Sequence, residues 1–182
     1  MSATKLEELV REIIKCNKCR LAKTRLRTVP GEGSENAEIL FVGEAPGRNE
    51  DLAGKPFVGS AGKFLTELIN LLALERKDVY ITNVVKCRPP KNRKPTEEEI
   101  KTCLSYLKRQ IAIIKPRIIV LLGSVAIQTL LDKNLISTKA HGTVHKKEGI
   151  IYFLTFHPAA ALYMQKLKKV MIGDFKKLTG LL

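Results

Sequence analysis

Apolar residues first recur with helical spacing, at Leu6, Leu9, Val10, Ile13 and Ile14, and predict a helix over residues 4–15. Thr4 and Glu7 stand three apart at its start, so each side chain can serve the other's backbone amide as a capping box. The basic, then Gly-rich stretch 20–36 reads as a loop. Beyond it the period changes. Four short β-branched or bulky runs, at 38–42, 79–85, 117–122 and 150–155, have the character of buried strands. Helical patterns alternate with them. One covers 63–74, where Phe64, Leu65, Leu68, Ile69, Leu71 and Leu72 recur. Another covers 96–114, with a Thr cap and acidic residues in its first turn; others fill 124–131, after Gly123, and a basic closing helix, 162–178. Strands alternating with helices predict a mostly parallel sheet covered on both faces, in one α/β domain spanning residues 1–182.

Composition narrows this picture. A chain of 182 residues, 45% hydrophobic, suits one compact core and gives no reason to expect two domains. No stretch approaches the roughly 20 apolar residues of a membrane span, and residues 1–15 lack the apolar run of a signal peptide. A cytoplasmic protein with no membrane partner is the expectation. The formal charge is +14, which favours a polyanionic partner such as nucleic acid through counterion release, unless it is only a solvated, Lys-rich surface. Four cysteines remain: Cys16, Cys19, Cys87 and Cys103. Disulfides are not expected in that compartment. A single four-thiolate site leaves no cysteine over, and it can hold zinc or an iron–sulfur cluster; the spacing alone does not choose.

In parallel sheets ligands bind beyond the carboxyl ends of the strands. Unusual residues gather there. Gly43-Glu44-Ala45-Pro46-Gly47 follows the first strand as a tight turn, with Glu44 placed to orient water or face a cation. A phosphate loop is excluded: Phe57 stands where the first glycine of such a motif belongs, and no hydroxyl residue follows Gly62-Lys63. No GxGxxG occurs either. Phe57, set among glycine and proline, is suited to stack on a flat base or to plug its loop onto the core. Asn83 ends the second strand and offers a donor and an acceptor together, matching the O4 and N3–H edge of uracil and not the reversed edge of cytosine. His157 follows the fourth strand, its backbone restricted by Pro158. His141 and His145 fall in a polar loop and receive no role.

Taken together, Gly43-Glu-Ala-Pro-Gly47, Glu50-Asp51, Gly54-Lys-Pro-Phe57-Val-Gly-Ser-Ala-Gly62, Tyr80-Ile-Thr-Asn83, Cys87-Arg-Pro-Pro90 and His157-Pro-Ala-Ala160 resemble the uracil-DNA glycosylase superfamily, and most closely its family 4. The motifs occur in order from the first cysteine to the final helix. The resemblance implies a three-layer α/β/α sandwich around a four-stranded, mostly parallel sheet. It implies an enzyme that hydrolyses the N-glycosidic bond of flipped-out uracil in DNA during base excision repair. It implies a structural [4Fe–4S] cluster on Cys16, Cys19, Cys87 and Cys103. Phe57 would stack on uracil, Asn83 read its edge and His157 lie beside its O2, with amides of Gly43, Glu44 and Ala45 lining the pocket. The chain departs from the best-known members at Ala45, where an Asp orients water; Glu44 is the first choice for that task, with Glu50 behind it. Leu162 is the bulky candidate for the wedge that replaces the flipped base. The implied partner is uracil-containing DNA, acted on by a monomer, with a sliding clamp left open. Two other readings compete with this one. A covalent uracil trap needs a His in the segment after Asn83, and residues 88–95 contain none. A non-enzymatic metal-bearing DNA module has no use for Phe57, Asn83 and His157 together.

Overall fold

The protein is described by a computed structural model covering residues 3–182. Helix α1 (Lys5–Ile14) opens on the expected capping box: Glu7 N–H donates to Thr4 Oγ1 at 3.2 Å, and Thr4 N–H donates to Glu7 Oε2 at 3.0 Å. Then follow β1 (Glu32–Gly33), β2 (Ile39–Gly43), α2 (Arg48–Ala53), α3 (Ser60–Asn70), β3 (Tyr80–Asn83), α4 (Glu97–Ile114), β4 (Ile118–Leu122), α5 (Ser124–Leu130) and α6 (Ser137–Ala140). The chain closes with β5 (Val144–Lys147), β6 (Ile150–Thr155), α7 (Pro158–Tyr163) and α8 (Gln165–Thr179).

Among the described residues the sheet has six strands in the order β1-β3-β2-β4-β6-β5, not four. Its centre is the expected set: β3, β2, β4 and β6 pair in parallel. Each edge carries a further antiparallel strand, β1 on β3 and β5 on β6. Both escape the hydrophobic pattern for physical reasons. β1 is two residues long. β5, Val-His-Lys-Lys, is polar because it is a solvated edge, where charge discourages pairing with another chain. Its signal is the turn: Glu148 and Gly149 both have positive φ, 52° and 79°, and join Lys147 to its partner Ile150 as a two-residue hairpin. His145 therefore lies on a strand and not in a loop.

The strands are apolar throughout because both faces are covered. Side chains alternate between the two cores. Leu40, Val42, Ile119, Leu121 and Leu154 join Leu9 and Ile13 of α1, Tyr106 and Leu107 of α4 and Ile127 of α5. Ile39, Phe41, Val120, Leu122 and Phe153 join Leu65 and Leu68 of α3 and Phe175 of α8. These two packed faces make the three-layer α/β/α sandwich. The closing helix predicted over 162–178 is broken into α7 and α8 at Met164, whose φ and ψ of −132° and 96° are extended. Among the described residues no helix is long and apolar enough to cross a membrane.

Candidate active site

The carboxyl ends of β2, β3 and β6 open into one cleft of about 960 Å³, lined by Glu44, Ala45, Glu50, Phe57, Asn83 and His157 among others. The sequence-predicted pocket residues are thus brought together. Gly43 closes the floor. A Cβ there would meet Phe57 Cζ at 2.6 Å and would collide with Asn83 Oδ1, so this position carries hydrogen because two pocket side chains cross over it.

Asn83 is buried at the end of β3, in register with Gly43. Its Oδ1 is the one buried side-chain N or O atom among the described residues without a hydrogen-bond partner. Leaving such an acceptor unmade costs about 1–3 kcal/mol, so an unpaired amide oxygen on a residue of the cleft wall points to a ligand donor.

Phe57 is buried and has φ 51°, an uncommon conformation for a side chain of its size. Three contacts hold the bend. Arg76 donates to the carbonyls of Pro56 (2.8 Å) and Phe57 (3.3 Å), and Gly62 lies so close to Phe57 C=O that a Cβ there would overlap it. Glu50 completes the frame, its Oε1 accepting from the amides of Val58 (3.0 Å) and Gly59 (3.1 Å) and its Oε2 from Gly47 (3.1 Å). The Phe57 ring stacks on His157, with centroids 5.6 Å apart and 27° between planes. It also packs in the core on the α3 side of the sheet, so it is both plug and pocket wall.

His157 is the N-cap of α7. Its Nδ1 accepts from Ala159 N–H at 3.2 Å, which puts the proton of the neutral ring on Nε2. Desolvation lowers its pKa to about 4, against a smaller opposing pull from Glu50. At neutral pH it is an uncharged donor. Gly123, at φ 90°, makes room for it: a Cβ there would lie 2.9 Å from His157 Cβ. Glu44 is half-buried, and burial raises its pKa while Lys94 opposes the rise. Glu50 spends its carboxylate on three amides, whereas no hydrogen bond to the Glu44 side chain is made among the described residues. Ala45, on the same wall, brings no carboxylate.

Behind the cleft, all four cysteines line a second cavity of about 310 Å³, with Ile13, Arg25, Lys86 and Tyr106. None is in a disulfide. Arg25 Nη1 donates to Cys87 Sγ at 3.2 Å and the Lys86 amide to Cys103 Sγ at 3.3 Å. Burial pushes the Cys87 thiol up to about 11, with Arg25 opposing, and raises Cys103 as well. Among the described residues no three His, Cys, Asp or Glu side chains form a group tight enough to hold a metal ion as they stand.

Several residues that tie the two sites together were not singled out from the sequence. Lys86 is fully buried between them; its Nζ donates to Asn83 C=O at 2.6 Å and to Thr82 Oγ1 at 2.7 Å, and desolvation lowers its pKa to about 7. The segment 88–95 runs from Cys87 across the cleft, where Pro89, Asn92 and Arg93 form part of the wall. Buried Glu99 pins it: Arg93 donates to both carboxylate oxygens (2.7 and 2.8 Å), and Arg20, next to Cys19, donates to Oε1 at 2.8 Å. These bonds, Arg93 foremost, hold the Glu99 pKa at about 2. The available signal was the charge-bearing run Arg88-Pro-Pro-Lys-Asn-Arg-Lys-Pro95 facing an acidic helix start.

A parallel α/β sheet with an open polar cleft at its strand ends, holding an unpaired amide oxygen, an uncharged histidine and a buried aromatic ring, is the setting of a glycosylase-like site. Residues 30–177 match the family model described as the Uracil DNA glycosylase superfamily, and the chain belongs to that superfamily. It is 53% identical to the type-4 uracil-DNA glycosylase of Sulfurisphaera tokodaii, over 97% of this chain and 84% of that protein. The type-4 enzymes of Archaeoglobus fulgidus (50%; 95% and 91% covered) and Saccharolobus solfataricus (51%; 94% and 84% covered) are similarly related. Within the superfamily this chain falls in the type-4 group.

Proposed function

We infer that this chain excises uracil from DNA, hydrolysing the N-glycosidic bond and leaving an abasic site, a step of DNA repair. The observation that carries the reading is the unpaired Asn83 Oδ1 beneath the Phe57 ring. Oδ1 accepts from uracil N3–H and Nδ2 donates to O4, a pairing that cytosine, with its reversed edge, cannot make. Phe57 stacks on the base plane. As the bond from C1′ to N1 breaks, its electron pair passes to the base and charge develops on O2. The Nε2–H of His157 donates to that oxygen; removing one such preorganised donor typically costs about 10²–10³ in rate. The sugar becomes cationic and takes up water at C1′. The carboxylate of Glu44 is free to orient that water and take its proton, while Glu50 holds the Phe57 loop.

The four-cysteine corner fits a [4Fe–4S] cluster. Its donors are all sulfur, two of them already receive N–H bonds of the kind that tune cluster thiolates, and the four surround a cavity and not a point. The cluster's contribution when bound is structural, cross-linking the loop after α1, the exit of β3 and α4. Cys16, Cys19, Cys87 and Cys103 would hold the cluster as thiolates.

The test is incubation with a uracil-containing oligonucleotide, followed by alkali to cut abasic sites. Strand cleavage at uracil and none at cytosine is expected; cleavage at neither would refute the reading. DNA binding should weaken steeply with salt, and a flat response would detach the +14 charge from DNA. Freshly purified protein should be brown, with about four irons and four sulfides per chain, whereas one zinc in colourless protein would overturn the cluster.

A further inference from the structure

The buried face of α8 is apolar at Met171, Phe175 and Leu178, yet at the same depth it carries a carboxylate, Asp174, only 2% exposed. A leucine there would avoid the cost of burying charge. The carboxylate is instead supplied with donors. His141, which closes α6, brings Nδ1 to 3.1 and 3.2 Å from its two oxygens, and Thr155 Oγ1 donates to Oδ2 at 2.9 Å. An ionised carboxylate only accepts, so the His141 proton facing it sits on Nδ1. Gly142, at φ 70°, leaves room for the group: a Cβ there would lie 2.6 Å from Asp174 Oδ1. The three side chains come from different elements and meet at the exit of β6, just ahead of His157. Thr155 ends β6, and its carbonyl accepts from the Gly123 amide at 3.0 Å. Phe156 is buried against the His141 ring, with centroids 4.7 Å apart. Both residues preceding His157 are therefore gripped by one pair, although neither His141 nor Asp174 lines the cleft.

Resting on the uracil reading above, we propose that His141 and Asp174 are positioning residues for His157. By clamping Thr155 and Phe156 they hold the His157 ring where its Nε2–H meets O2 of the departing base. A buried polar cluster is commonly replaceable by apolar groups without loss of stability, so what this one supplies is direction. Its hydrogen bonds fix the depth and rotamer of Thr155, whereas apolar packing tolerates small shifts. Capture of the base rests on Asn83 and Phe57, which β3 and the α2–α3 connection hold outside the clamp. The clamp therefore acts on the step in which charge develops on O2, and not on binding.

Two measurements test it. Single-turnover excision of uracil at increasing enzyme concentration separates the maximal rate from half-saturation. Nitrogen NMR of the His157 ring needs no cleavage. Thr155→Val removes the hydroxyl that joins Asp174 to β6 and leaves the shape nearly unchanged, while Thr155→Ser keeps the hydroxyl. Thr155→Val should lower the maximal rate about tenfold, leave half-saturation in place and shift the His157 Nε2 signal; Thr155→Ser should restore rate and signal. A second variant makes the cluster apolar as a whole: His141→Phe, Asp174→Leu and Thr155→Val together. It should keep the parent's denaturant midpoint and yet excise about 10–10²-fold more slowly. A parental maximal rate in Thr155→Val, a loss confined to half-saturation, or an unmoved His157 signal would overturn the proposal. If the unaltered chain releases no uracil from any oligonucleotide, the uracil reading fails. The ring signal still decides the clamp: movement in Thr155→Val that Thr155→Ser reverses sustains it, and indifference ends it.

Discussion

The cleft at the strand ends takes its walls from segments that the parallel sheet sets side by side, whereas the cysteine corner collects its thiols from a loop, a strand exit and a helix. Their polar atoms are treated differently too. In the cleft one buried acceptor, Asn83 Oδ1, is left without a partner. In the corner the sulfurs of Cys87 and Cys103 already accept N–H bonds from Arg25 and Lys86. The first arrangement stores an unmade bond for a neutral ligand that comes and goes. The second suits the charge of the cluster proposed for it. Lys86 joins them, its amide on one site and its ammonium on the other.

The sharpest break in that comparison is Asn83→Asp. It replaces the amide's donor by a carboxylate oxygen, and uracil excision should fall about 10²–10³-fold while iron content and binding to uracil-free DNA hold. A loss of iron in this variant would mean that the cleft and the corner are one unit. Lys86→Met asks the converse. Removing the ammonium takes a donor from the buried Asn83 C=O and from Thr82 Oγ1, which keeps only its own donation to Pro30 C=O, at a cost of about 1–3 kcal/mol in denaturant unfolding. Excision should drop about tenfold, because the strand end that aims Asn83 is loosened; unaltered excision would show that the lysine serves the corner alone.

Glu99→Gln probes the clasp between the sites. Its carboxylate has a pKa of about 2 against an ordinary 4.5, so its contribution is complete above pH 4.5 and is lost as pH falls toward 2. The variant should be less stable by about 1–3 kcal/mol at neutral pH, and chemical denaturation should show that gap narrowing below pH 4.5. A gap that does not vary with pH would assign the loss to packing. The smallest effect is spectroscopic. Nitrogen NMR should find His157 neutral at pH 6, protonated on Nε2, and titrating near 4, since burial depresses its pKa from 6.5. Its linked stability is full above pH 6.5 and lost as pH falls through about 4. A titration near 6.5 would place the ring in water and undo the stack on Phe57.

Much of this was legible in the chain. The four central strands, the capping box at Thr4 and the placing of Gly43, Asn83 and His157 at strand ends follow from periodicity and local turn chemistry, which neighbouring residues decide among themselves. The Ala45 departure was equally readable, because an absent carboxylate needs no structure to be noticed. Tertiary structure decided what depends on distant partners. It added β1 and β5, whose polar residues become strands only because β3 and β6 offer open edges. It occupied Glu50, whose carboxylate takes the Gly47 amide within its own helical turn but reaches those of Val58 and Gly59 only once the α2–α3 connection folds back over it. It carried Lys86 into the interior against its ordinary preference for solvent, where Asn83 C=O and Thr82 Oγ1 accept its hydrogen bonds. And it brought Tyr163, at the end of α7, to the rim of the cleft, which no property of that residue in sequence foretells.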